Sequence, residues 1–99
     1  MHYILENKIP KRVSLRKWAE WFSENDRIVK QEHIGDIFIS TVFLGLDHNH
    51  WGGNPHLFET MVFDENDNDI YCTRCSSWDE AEKMHEDAIQ WVNDGCKDD

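Results

Sequence analysis

The stretch DHNHWGGNPH, residues 47–56, gathers three histidines, an aspartate and a tryptophan. Neutral imidazoles and carboxylates are ligands of zinc and related divalent ions. His48, His50 and His56, with Asp47 and Glu59 close by, therefore form a candidate metal set. The same groups could do acid–base chemistry, with His48 and Glu59 as the pair. Flanked by Leu57 and Met61, Glu59 would be partly desolvated if it turned inward, a condition that tunes catalytic carboxylates. The Gly52-Gly53 step argues the other way, because it suits a pliable connection more than a preorganised site. Long connections between strands are also common binding loops, and Trp51 would then be the displayed side chain.

Other motifs carry less. The letters HNH lack the ββα setting of HNH nucleases, since a strand rather than a helix follows them. Cys72 and Cys75 match C-x-x-C, but on an extended strand positions i and i+3 face opposite sides, so chelation would need a turn inside the motif. DENDND, residues 64–69, imitates the start of a calcium loop but has Asp69 where glycine is required and Cys75 where the bidentate glutamate belongs. It reads as a solvated turn. Phosphate-binding glycine loops, the nucleophile elbow and the H-E-x-x-H zinc motif are absent from the sequence. No cofactor is implied, and the balance points away from an enzyme.

The elements that must position these residues follow from periodicity. HYILEN is a short first strand stopped by Pro10. Ser14 caps a helix to Glu24 whose buried stripe is Leu15, Trp18, Ala19 and Phe22, with Trp21 beside it and partly exposed. RIVKQEH, IFISTVFLGL, LFETMVF and IYCTR are strands, and the second of these is apolar enough to be central and covered on both faces. SWDE sets Ser77 and Glu80 as a capping box opening a helix with Ala81, Met84, Ala88, Trp91 and Val92 inward. The order β-α-β-β-β-β-α predicts an α+β domain over 1–99, a mainly antiparallel sheet of four to five strands with two helices, and a frayed tail from about residue 95.

Charge narrows the partners. The net charge is −10, and residues 64–99 hold twelve acids against three bases. A direct nucleic-acid binder relies on neutralising phosphates, so this sign argues against one and favours a basic protein surface. No apolar run is long enough to span a membrane, the start MHYILENKIPKR lacks a secretory pattern, and three cysteines do not make a disulfide framework. These features suggest a cytoplasmic setting with free thiols. An edge strand or Trp21 could support a homodimer.

The block ISTVFLGLDHNHWGGNPHLFETMVFDEN, followed by SSWDEAEKMHEDAIQWV, resembles a widespread, uncharacterised family of small bacteriophage and prophage proteins; WAEWFSENDRIV and IGDI upstream fit the same pattern. The resemblance covers roughly residues 13–92. It implies a phage setting in the host bacterial cytoplasm and no catalytic residues; Asp47, His48 and the LFETMVF strand match its pattern, while the histidine-rich loop and the cysteine pair look local to this chain. The leading expectation is an accessory protein acting by protein–protein interaction, for example a counter-defence inhibitor of a CRISPR effector or restriction enzyme. It would use Asp47, His48, Trp51 and Trp21, together with Asp79, Glu82 and Glu86 of the last helix. A small metal-dependent or acid–base enzyme using residues 47–59, and a phage structural or assembly factor, are the alternatives.

Overall fold

A computed structural model describes residues 1–49 and 51–97. Its elements are β1 (His2–Glu6), β2 (Ile9–Val13), α1 (Leu15–Glu24), β3 (Ile28–Ile34), β4 (Ile37–Phe43), β5 (Phe58–Phe63), β6 (Asp69–Cys75) and α2 (Trp78–Asn93). The fold is α+β, with two antiparallel sheets: the hairpin β1-β2 and the meander β3-β4-β5-β6.

One strand more than expected is present. Pro10 does not end the first strand; it lies inside β2, opposite Leu5. A two-stranded ribbon is all edge, so a proline can face its missing N–H away from the ladder. Asn7 and Lys8 both have positive φ, the conformation of a two-residue hairpin turn whose twist matches its strands. The ribbon is tied to the main sheet where the Tyr3 N–H donates to the Gly45 carbonyl at 2.8 Å. Gly45 has φ +74°, and a Cβ there would run into the Phe22 ring and the Trp18 indole. The chain leaving β4 thus needs glycine for both its backbone angle and its closeness to α1.

β4 is central but covered on one face only. Ile39, Thr41 and Phe43 are buried, while the alternate Phe38, Ser40 and Val42 remain partly exposed. β5 has the same pattern, with Phe58, Thr60 and Val62 inward. On the outer face Phe38 packs on Phe63, with ring centroids 6.3 Å apart.

The inward face meets α2, which buries Ala81, Met84, His85, Ala88 and Val92. Two apolar clusters result: Phe43, Leu57, Phe58, Ala81 and Met84 at one end, and Ile39, Val62, Ala88 and Val92 at the other. α1 closes the first cluster with a face rotated from the expected stripe. Trp21 and Phe22 pack on it, whereas Leu15 is 60% exposed. Trp21 meets Phe43 edge-on at 5.7 Å, so the ring packs one side against the core while remaining partly exposed.

Both ends of α2 are closed. The Ser77 hydroxyl oxygen accepts from the Glu80 N–H at 3.2 Å, and its hydroxyl donates to the Glu80 carboxylate at 2.9 Å. At the other end Gly95 has φ +88°, and the Cys96 N–H reaches the Trp91 carbonyl at 2.9 Å. This is a Schellman closure. The backbone is hydrogen-bonded through Cys96.

Candidate functional site

The most developed polar assembly joins three strands to α2. Thr41 and Thr60 are cross-strand partners whose hydroxyl oxygens lie 2.5 Å apart. Thr41 Oγ1 is 2.7 Å from His85 Nδ1, and His85 Nε2 is 2.9 Å from Glu32 Oε1. Thr41, Thr60 and His85 are fully buried. Glu32 opens to the surface, where Lys30 lies 3.6 Å away and also pairs with Glu86 at 3.1 Å.

Bonding capacity sets the direction of the protons. An ionised carboxylate can only accept, so His85 Nε2 donates to Glu32. With the ring neutral, Nδ1 accepts from Thr41, whose oxygen in turn accepts from Thr60. The hydrogen bond from His85 holds the Glu32 carboxyl below its ordinary range, with Lys30 helping. In outline this is a hydroxyl–imidazole–carboxylate row, the arrangement that activates a nucleophile. Its chemistry is closed off, however. The hydroxyl of Thr41 lies beneath α2 with no exposed surface, so no substrate carbon can approach it. The row fastens α2 to the sheet.

The row was only half legible in advance. Thr41 and Thr60 stand out as interruptions of apolar strands, but His85 reads as a polar residue within an amphipathic helix. Its position four after Ala81 and three before Ala88, on the buried stripe, was the available signal.

The 47–56 loop is held differently. Asp47 Oδ1 accepts from the backbone N–H groups of Asn49 at 2.8 Å and His56 at 3.0 Å. These bonds, Asn49 first, hold the Asp47 carboxyl below its ordinary range. Asn49 completes the loop: its Oδ1 accepts from the Trp51 N–H at 3.0 Å, and its Nδ2 donates to the carbonyls of Gly52 and Asn54. Trp51 itself is 95% exposed.

His48 and His56 are joined through their backbones, His48 N–H to His56 carbonyl at 3.2 Å. Neither imidazole has a hydrogen-bond partner among the described residues, and His50 lies outside them. Glu59 does not join this group. It sits on the open face of β5, bonded to Arg74 at 2.9 Å, so the expected His48–Glu59 pair is not assembled. Among the described residues no three His, Cys, Asp or Glu side chains converge on one point as metal ligands would.

The cysteines of C-x-x-C fall on opposite faces of β6. Cys72 lies 3.6 Å from the Glu59 carboxylate on the open face, and Cys75 points toward the Ser77 carbonyl. Burial pushes the Cys75 thiol up to about 11, which keeps it protonated and unreactive at neutral pH. The 64–69 turn is likewise self-contained, with Asp64 accepting from the backbones of Asn66 and Asn68.

The remaining feature is charge. α2 carries five acids against one lysine. Asp79, Glu82 and Glu86 are all exposed on its outer surface. Glu86 is engaged by Lys30, whereas Asp79 and Glu82 have no ion pair among the described residues. Both line a groove between the first turns of α2 and the β1-β2 hairpin. No helix of the described chain is long and apolar enough to cross a membrane. No protein-family model, curated protein or solved structure matches the chain.

Proposed function

We propose that this chain is a small acidic accessory protein of bacteriophage type that acts in the host cell by binding another protein. Its acidic α2 docks on a basic surface, of the kind with which a CRISPR effector or restriction enzyme holds nucleic acid. The observation that carries this reading is the outer surface of α2, where Asp79 and Glu82 are exposed and lack cationic partners within the described chain. Such groups steer and orient a positively charged partner more than they stabilise the monomer. The hydroxyl–imidazole–carboxylate row found among the described residues is enclosed, which favours surface recognition as the role.

The test is capture from bacterial lysate at low and high salt, with Asp79→Lys/Glu82→Lys protein as control. A basic partner whose recovery falls steeply with salt, and falls again in the charge-reversed variant, is the expected result. The reading fails if no basic protein is retained at low salt, or if charge reversal leaves recovery unchanged.

A further inference from the structure

We propose that the groove between the β1-β2 hairpin and the start of α2 is an anchor site for an arginine side chain of the protein partner. The inference rests on the acidic-docking reading above and gives it a location and a side-chain chemistry. The groove measures about 350 Å³, small for an organic ligand but adequate for one long side chain. Trp78 forms its floor, fixed from behind by an edge-on contact with Phe58 at 6.2 Å. The hairpin supplies an apolar wall of Ile9, 67% exposed, and Pro10. Asp79 and Glu82 supply the acidic rim.

The chain itself shows what the floor accepts. Lys8 Nζ lies over the Trp78 ring, 5.3 Å from its centroid. A cation is attracted to the negative face of an indole, and nearby carboxylates add to that attraction. Lys8 forms no ion pair with Asp79 or Glu82, so its ammonium uses the ring and leaves the rim unused. A guanidinium suits the whole groove better. It is planar, so it can lie on the indole, and its forked donors can reach a carboxylate at the same time. Lys8 stands on a tight turn with a fixed backbone and a flexible side chain, so it can swing aside. The positive end of the α2 dipole opposes a bound cation, but Asp79 and Glu80 in the first turn offset it.

The experiment is titration of the full-length protein with hexa-arginine and hexa-lysine peptides at low salt, followed by the indole N–H resonance of Trp78 in NMR spectra. The expected result is a saturable shift of Trp78 with hexa-arginine and at least about five-fold weaker binding of hexa-lysine, because the fork and stacking contacts are lost. Asp79→Asn and Glu82→Gln, both exposed and tolerant of change, should each weaken hexa-arginine binding about three- to ten-fold. Lys8→Ala should strengthen it by removing the resident cation, while Lys11→Ala, which removes the same charge farther along the hairpin, should not. Equal affinity for the two peptides, or binding that leaves Trp78 unmoved, overturns the arginine anchor while the acidic-docking reading stands. Binding of neither peptide overturns the anchor and counts against that reading too.

Discussion

The row Thr60–Thr41–His85–Glu32 and the loop 47–56 are built from the same kinds of side chain, yet they use them for opposite purposes. In the row, side chains bond to one another across β3, β4, β5 and α2, and the imidazole is the central link. In the loop, Asp47 and Asn49 bond to backbone groups of the loop itself, and no imidazole of the described residues takes part. Enclosure explains the difference. A buried polar atom without a partner costs on the order of 1–3 kcal/mol, so every group in the row is matched. At the surface water serves as partner, and a histidine there is under no such constraint. Histidine density in a sequence is therefore a poor guide to where histidine matters structurally.

The largest effect should come from breaking the centre of the row. His85→Ala removes partners from Thr41 and Glu32 together and leaves a cavity beneath α2. A loss of about 3–4 kcal/mol in urea unfolding is expected. Thr41→Val keeps the volume and deletes the hydroxyl, for an expected loss of about 1–2 kcal/mol. The double variant should lose less than the sum, because both changes sever one link. Strict additivity would show that the row is a set of independent contacts, not one coupled assembly.

Much of the fold follows from periodicity. The apolar runs IFISTVF and FETMVF mark both strands, though not that the first is covered on one face only, and the SWDE box starts α2 at its observed residue. What escaped depends on tertiary context. β2 escaped because Pro10 is a strand breaker in a sheet interior but is harmless in a two-stranded ribbon. The face of α1 turned because Trp21 packs on Phe43 of β4, a contact no local pattern encodes. His85 escaped because a lone imidazole on a buried stripe becomes informative only once Thr41 and Glu32, on two different strands, are seen around it. His48 and His56, by contrast, were conspicuous in sequence and form no hydrogen bond or ion pair with Glu59, which is bonded to Arg74 instead. The acidic character of α2 was legible throughout, since charge needs no neighbour to be read.

Acid should separate the two assemblies in a graded way. The Glu32 and Asp47 carboxyls are both held below their ordinary values of 4.5 and 3.8. A carboxyl whose folded value is depressed contributes stability that is present above the unfolded value and lost as pH falls through the folded one. Global stability should therefore decline as pH drops below about 4.5, and the decline should flatten in Glu32→Gln. Asp47→Ala should cost about 1 kcal/mol or less, with its effect centred on the loop. Urea midpoints measured at pH 6 and pH 3 for the three proteins give the comparison. An unchanged pH slope in Glu32→Gln would detach that carboxylate from the row.

The smallest effect is expected at Trp51. With 95% of its surface in water, the indole contributes almost no burial, and the bond that holds this residue in the loop is made by its backbone N–H to Asn49. Trp51→Ala should shift stability by less than about 0.5 kcal/mol, the usual range for surface positions. Of the five tryptophans in the chain, Trp51 should also be the ring most open to a neutral quencher. Removing it should then abolish the most accessible component of the fluorescence while the unfolding midpoint stays in place. A loss above about 1 kcal/mol would mean that the ring is packed in solution. The loop would then be a second polar assembly built around a buried side chain, and the contrast with the His85 row would collapse.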